Sequence, residues 1–190
     1  MAGLSILVGY LAGSVPFAFL LARRAGIDVR RVGSRNVGAA NVLRSTGVGR
    51  ALLVTVLDVA KGAVAVGIAH ASTGGNGVAA LTGAAAIVGH IYPIWLRFHG
   101  GKGVAVAAGV FAMLTPVATA IAMTLFLVIV SATRYVSLGS VAATVALPPA
   151  AWLTGAPGAV VGAAAGTAAL ILFRHRANLL RLTAGTERRI

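Results

Sequence analysis

LSILVGYLAGSVPFAFLLARR, from Leu4 to Arg24, decides which solvent this chain folds in. Nineteen residues, Leu4 to Ala22, pass without a charge, and two arginines follow at once. A helix needs roughly 20 apolar residues to cross about 30 Å of hydrocarbon, so the run is long enough for one crossing. No basic segment precedes it and arginines follow it, the reverse of a cleavable secretory leader, so it is expected to be a retained first span.

Six further apolar runs lie downstream: Ala51–Ser72, Val78–Leu96, Val104–Leu114, Pro116–Thr133, Val136–Thr154 and Gly158–Phe173. Only Val104–Leu114 is short, which leaves it open as a thin, tilted or re-entrant segment. Composition agrees with a lipid solvent. Of 190 residues, 58% are hydrophobic and 10% charged, and the mean hydropathy is +0.94. A soluble domain needs more charge to cover its surface. The expected fold is therefore an all-α integral membrane protein with about seven transmembrane helices, five or six being the fallback, built as one domain over residues 1–190.

The cations fix an orientation. Arginines 23, 24, 30, 31, 35, 44 and 50 lie between the first two runs; Arg97 and Lys102 lie between the third and fourth. Arg134 follows the fifth run, and arginines 174, 176, 181, 188 and 189 follow the seventh. With seven spans, these fifteen of the sixteen cationic residues share one side. Cytoplasmic loops carry such an excess, which places the N-terminus outside and the C-terminus in the cytoplasm. The other side is bare, with Gly74, Gly75 and Gly77 in an expected tight turn. Losing the short run would scatter the charge over both faces.

Lys61 is the exception, inside the second run with Asp58. Ionisable groups at membrane depth are costly and usually pair, and a spacing of three puts both on one helix face. A structural ion pair between helices and a role in a site both remain open. The net charge of +13 would suggest nucleic acid in a soluble protein. Here the cations sit in short breaks between apolar runs and aromatics are 6%, so nucleic acid is not expected as a partner. The absence of cysteine excludes disulfides, thiolate ligands and a cysteine nucleophile. With Asp28, Asp58 and Glu187 as the only acids, neither a metal cluster nor a carboxylate pair can be assembled, and no G-x-S-x-G elbow occurs.

Cytoplasmic segments of three kinds can carry chemistry. Gly33-Ser34-Arg35-Asn36-Val37-Gly38-Ala39-Ala40-Asn41-Val42-Leu43-Arg44 mixes glycine, small polar residues and arginine, a composition able to aim backbone N–H groups and guanidinium forks at an anion. A flexible loop held near anionic lipid by its arginines is the competing reading. His99-Gly100-Gly101-Lys102-Gly103 precedes a helix and has the character of a phosphate cradle. It is not a Walker A loop, which would need glycine at Leu96 and Ser or Thr at Gly103. Third are Arg134–Ser140 and the segment Arg174–Leu182, where His175, Asn178 and Arg181 form one polar stripe on a helix. His90, inside the third run, is either a packed polar group or a channel-facing one.

These residues, taken in order, resemble a known family. Gly13-Ser14-Val15-Pro16-Phe17, Gly33–Arg44, Asp58-x-x-Lys61-Gly62, Gly89-His90, Phe98-x-Gly100-Gly101-Lys102-Gly103-Val104, Arg134-Tyr135-x-Ser137 and Arg174-His175-x-x-Asn178 are similar to the bacterial acyl-phosphate:glycerol-3-phosphate acyltransferases (PlsY) over nearly the whole chain. The resemblance implies a seven-span bacterial inner-membrane enzyme with a cytoplasmic active site and no cofactor or metal. It implies transfer of a fatty acyl group from acyl phosphate to the 1-hydroxyl of glycerol 3-phosphate, giving lysophosphatidic acid and phosphate. Ser34, Arg44, Lys102 and Asn178 would be catalytic. Asn36, Gly38, Asn41, His90, Gly100, Gly101, Gly103, Ser140 and His175 would bind substrate, with Arg44 and Lys102 clamping glycerol 3-phosphate. The His-x-x-x-x-Asp motif of other glycerol-phosphate acyltransferases is missing: five residues beyond the histidines stand Gly75, Trp95, Val104 and Leu180. Arg35 stands where many members have glycine. A small transporter of an anionic phosphorylated metabolite is the alternative, resting on the same cationic face.

Overall fold

A computed structural model describes residues 1–73 and 75–190; Gly74, one of the three glycines of the expected turn, lies outside the described residues. Among the described residues the chain is all-helical, and six helices are long and apolar enough to cross a membrane. The elements are α1 Ala2–Ser14, α2 Phe17–Arg23, α3 Ala39–Thr46, α4 Val48–Thr73, α5 Asn76–Ile91, α6 Val104–Leu114, α7 Pro116–Thr133, α8 Val136–Leu153 and α9 Gly158–Thr183, with a 3-10 turn at Ile94–Leu96. The six are the α1–α2 segment Ala2–Arg23, α4, the segment Asn76–Leu96, α7, α8 and α9. At 11 residues and about 1.5 Å of rise per residue, α6 is about 16 Å long, half a bilayer core.

Three departures from the apolar runs have local causes. The first run breaks into α1 and α2 because Pro16 offers no N–H and drives Val15 into an extended conformation. α3 forms inside the glycine-rich cationic break, where no apolar run marks a helix: its alanines favour helix, and Asn41 and Val42 form its buried side. α9 runs ten residues beyond Phe173, because charge ends a hydrophobic run without ending a helix. It stops where Gly185 takes a positive φ of 67° and the Thr186 N–H donates back to the Arg181 carbonyl.

The chain divides into two compact units, Met1–Val110 and Phe111–Ile190. In the first, α1, α4 and α5 pack against one another, and small residues allow close approach. A Cβ on Gly13 would overlap the Ala86 backbone, and one on Gly89 the Tyr10 carbonyl. Between α4 and α6, Gly62 faces the Val106 carbonyl and Gly109 the Val59 carbonyl in the same way. Val54, Val66, Ile87, Ile91 and Val106 are fully buried. The turn after α5 is pinned to α1 twice: the Tyr10 hydroxyl donates to the Tyr92 carbonyl at 2.9 Å, and the Trp95 indole donates to Ser14 Oγ at 2.8 Å.

In the second unit α8 packs against both α7 and α9, with Gly139 of α8 set close to the Phe126 carbonyl of α7. α8 continues through Pro148 and Pro149. In both units large apolar side chains stay exposed, among them Val56, Leu81, Leu127 and Trp152. In water such a surface would aggregate, and in lipid it meets its own kind.

Candidate active site

The cationic break after α2 is ordered by one side chain. Asn41, on the buried face of α3, is 1% exposed. Its Oδ1 accepts from the Ser34 N–H at 2.9 Å, and its Nδ2 donates to the carbonyls of Val29 at 2.9 Å and Val32 at 3.2 Å. Both amide donors and the carbonyl are engaged within the segment, so Asn41 folds Val29–Ser34 back over α3. Gly33 sits at φ 59° with its Cα against Asn41 Oδ1. Arg35 is also left-handed, at φ 58°, a conformation costly for any residue with a Cβ. Glycine would take the same conformation without that cost.

The arginines of this break are not equivalent. Arg30 grips Asp28 with Nε at 2.9 Å and a terminal nitrogen at 2.8 Å, and its guanidinium lies 4.6 Å from the Phe19 ring centroid. Hydrogen bonding from Arg30 holds the Asp28 carboxyl well below the usual carboxylate range, with Arg31 adding charge attraction. Arg44 is exposed at the last turn of α3 and Ser34 is exposed at the surface of the segment. Asn36 and Gly38 are half-buried.

The glycine segment after α5 is built on His90. The Gly101 N–H donates to the His90 carbonyl at 3.1 Å and the Gly100 N–H to the Ile91 carbonyl at 3.0 Å. These two amides therefore hold the segment against the end of α5. Gly100 and Gly101 are buried where no side chain fits: a Cβ on Gly101 would overlap the His90 imidazole and approach the Val37 carbonyl at 2.8 Å. Arg97 and Phe98 enter the segment at φ 52° and 62°, Gly103 leaves it at φ 92°, and Lys102 is half-buried between Gly101 and Gly103. A small cavity lies beside it, lined by Ser14, Val15, Phe17, Val37, Asp58, His90, Gly100 and Gly101. So Val37 of the 33–38 segment, His90 and the glycine segment come together in the first unit.

Ser140, His175 and Asn178 belong to the second unit and are all buried. Ser140 Oγ donates to the Val136 carbonyl of its own helix at 2.8 Å. His175 Nδ1 lies 2.9 Å from the Ile171 carbonyl; a carbonyl only accepts, so Nδ1 carries a proton. Asn178 Nδ2 donates to Glu187 at 2.7 Å. The same carboxylate accepts from Ser137 Oγ at 3.0 Å and from Arg181 Nε at 2.7 Å. Burial opposes ionisation of Glu187, but the bonds from Asn178, Arg181 and Ser137 outweigh it, and its carboxyl lies below the usual range. Sequence reasoning missed Glu187, Ser137 as its partner, and Asn41 as a clamp. The signal for Glu187 was present: one of three acids in the chain, nine residues beyond Asn178.

Comparison with known proteins speaks to the whole chain. The sequence model of the family described as Glycerol-3-phosphate acyltransferase matches residues 3–185. The chain belongs to the glycerol-3-phosphate acyltransferase family. A member from Synechococcus sp. (strain CC9902) is 45% identical over 189 residues, covering 98% of this chain and 94% of the relative. One from Roseobacter denitrificans is 46% identical over 185 residues, covering 96% and 91%. Among solved structures, the glycerol 3-phosphate form of PlsY, an integral membrane glycerol 3-phosphate acyltransferase, superposes with a TM-score of 0.96 at 40% identity, over 100% of this chain and 95% of that one. Its lysophosphatidic acid form gives 0.93 at 39% identity with the same coverage. The resemblance read from the motifs thus holds, and the chain is a membrane-embedded acyltransferase.

Proposed function

We propose that this enzyme transfers a fatty acyl group from acyl phosphate to the 1-hydroxyl of glycerol 3-phosphate at the cytoplasmic face of the bacterial inner membrane. The observation that carries the acceptor is the full-length match, at 40% identity, to a structure described as a glycerol 3-phosphate form. Support for acyl phosphate comes from the motifs and from the absence of His-x-x-x-x-Asp. The family match over residues 3–185 takes in both compact units and favours one acyltransferase domain. Charge favours seven crossings with α6 among them, the N-terminus outside and the C-terminus in the cytoplasm, because only that count gathers fifteen of sixteen cations on one face.

In this reading the acceptor oxygen attacks the acyl carbonyl, a C–O bond forms, and the acyl–phosphate bond breaks with phosphate as leaving group. The donor is already activated, so no acyl-enzyme is needed. Arg44 and Lys102 bind the phosphate of glycerol 3-phosphate, the first as a two-donor fork and the second as a mobile point charge. Ser34, Asn36 and Gly38 with the Gly100–Gly103 segment hold the donor phosphate, supplying hydrogen bonds where charge builds in the transition state. Asn178, His175 and Ser140 are assigned to the acceptor by the family resemblance. Asn41 contributes by holding Ser34 in place. No carboxylate is assigned as base; a substrate phosphate oxygen takes the proton.

The test is phosphate release by purified protein reconstituted in lipid. Release that requires both acyl phosphate and glycerol 3-phosphate is expected, with no turnover when acyl-CoA replaces acyl phosphate. Well-folded protein that releases no acceptor-dependent phosphate would refute the reading.

A further inference from the structure

Three charged or titratable side chains meet inside the first unit, and the chemistry proposed above gives a step to none of them. Lys61 Nζ lies 2.8 Å from Asp58 Oδ1, donates to the Val15 carbonyl at 2.8 Å and lies 3.0 Å from His90 Nδ1. Asp58, Lys61 and His90 are all at most 9% exposed. Phe17 closes one side, its ring centroid 5.5 Å from the ammonium.

An ammonium has three N–H donors and no lone pair. The Val15 carbonyl and His90 Nδ1 accept two of them, and the Asp58 carboxylate lies in ion-pair contact with the same ammonium. The Val15 carbonyl is at hand because Pro16 breaks the first span there. Asp58 Oδ1 is 3.7 Å from His90 Nδ1, too far for a hydrogen bond, so Lys61 is the group that addresses the ring. With Nδ1 accepting, a neutral imidazole must carry its proton on Nε2. That nitrogen is the atom a Cβ on Gly101 would strike. The His90 main chain holds the same segment through the Gly101 N–H. His90 therefore meets the glycine segment with both its backbone carbonyl and an N–H of defined tautomer.

We propose that Lys61, held by Asp58, is a positioning residue that fixes His90 as the Nε2–H tautomer and so sets the Gly100–Gly103 segment to receive the donor phosphate. The pair thus acts on binding of an acyl phosphate through His90, with no contact to the substrate. The mechanistic half rests on the proposed function, while the tautomer is a property of the resting protein.

The experiment has two arms. Protein with 15N-labelled histidine contains four histidines, and the His90 signal is assigned by its loss in His90→Gln. Long-range 15N–1H correlation is expected to show His90 in the parent as a single Nε2–H tautomer. Lys61→Met alone would leave Asp58 buried without its partner and risks misfolding, so both charges are removed together as D58N/K61M. That variant is expected to lose the single tautomer and to raise KM for acyl phosphate at least tenfold, with kcat within threefold of the parent. Glutamine at position 90 places an amide donor near the Nε2 position whatever Lys61 does. Adding D58N/K61M to His90→Gln should therefore change KM less than threefold further. A parent spectrum with Nδ1–H or doubly protonated His90 overturns the proposal. So does an unchanged KM, or a kcat loss without a KM rise, in folded D58N/K61M protein. If the parent releases no acceptor-dependent phosphate, the functional reading fails, and the spectrum alone still decides the tautomer.

Discussion

Replacing Glu187 by alanine removes the acceptor shared by Ser137, Asn178 and Arg181. A hydrogen bond to a charged group contributes about 1.5–3 kcal/mol. The Asn178 bond is short and joins two largely buried groups, which argues for about 2 kcal/mol. The Ser137 bond, at 3.0 Å, adds about 1 kcal/mol. Arg181 is 41% exposed, so its ion pair is screened by solvent and adds about 0.5 kcal/mol. The sum is about 3.5 kcal/mol, and because one carboxylate serves all three donors an observed loss of about 3 kcal/mol is expected. Glu187→Gln keeps one carbonyl acceptor without the charge and should lose roughly half as much. Reversible unfolding in detergent measures both, and a cycle with Asn178→Ala should return a coupling of about 1.5–2 kcal/mol. pH offers an independent check. The carboxyl is held below its ordinary value of 4.5 in the folded state, so its stabilisation is complete above about pH 5 and is lost as pH falls through the lower, folded value. The parent should therefore lose stability at acid pH more steeply than Glu187→Gln. An alanine variant within about 0.5 kcal/mol of the parent, the range of an ordinary surface change, would refute the bridging role.

Other substitutions probe the first unit. Lys102→Ala should abolish acceptor-dependent phosphate release while leaving the unfolding transition in place; retained activity would remove Lys102 from the site. Arg35→Gly relieves a left-handed conformation costing about 1–2 kcal/mol for a residue with a Cβ, less the extra freedom glycine has when unfolded, so a gain of about 0.5–1 kcal/mol is expected in detergent unfolding. Asn41→Asp keeps the acceptor for the Ser34 N–H but sets carboxylate oxygen against the Val29 and Val32 carbonyls, and should cost about 2–3 kcal/mol. Gly109→Ala drives a methyl into the Val59 carbonyl across the α4–α6 contact and should cost about 3 kcal/mol by the same measurement.

The helices were legible because a bilayer sets one length scale and one polarity rule, and α6 and α7 begin and end at the residues that bound their apolar runs. Where the outcome depends on hydrogen bonds, hydropathy is silent. Helix α3 is too short to show a period inside a glycine-rich stretch, and α9 carries its cations past the apolar limit without breaking. The site residues divide the same way. Lysine among glycines is visible as chemistry, but whether an asparagine faces a ligand or its own backbone is decided by three distances, and for Asn41 they all point inward. Arg35 shows a limit of another kind. Its departure from glycine could be noticed in sequence, yet its cost follows from a φ of 58°, which no composition encodes. The Asp58–Lys61 pair had two open readings, a bolt between helices or part of a site. The geometry joins them: Lys61 ties α4 to the Val15 carbonyl and, with a second proton, to the ring that backs the glycine segment. A charge at membrane depth that served packing alone could be replaced by apolar residues with little loss. Placing it one hydrogen bond from His90 gives a reason for keeping it.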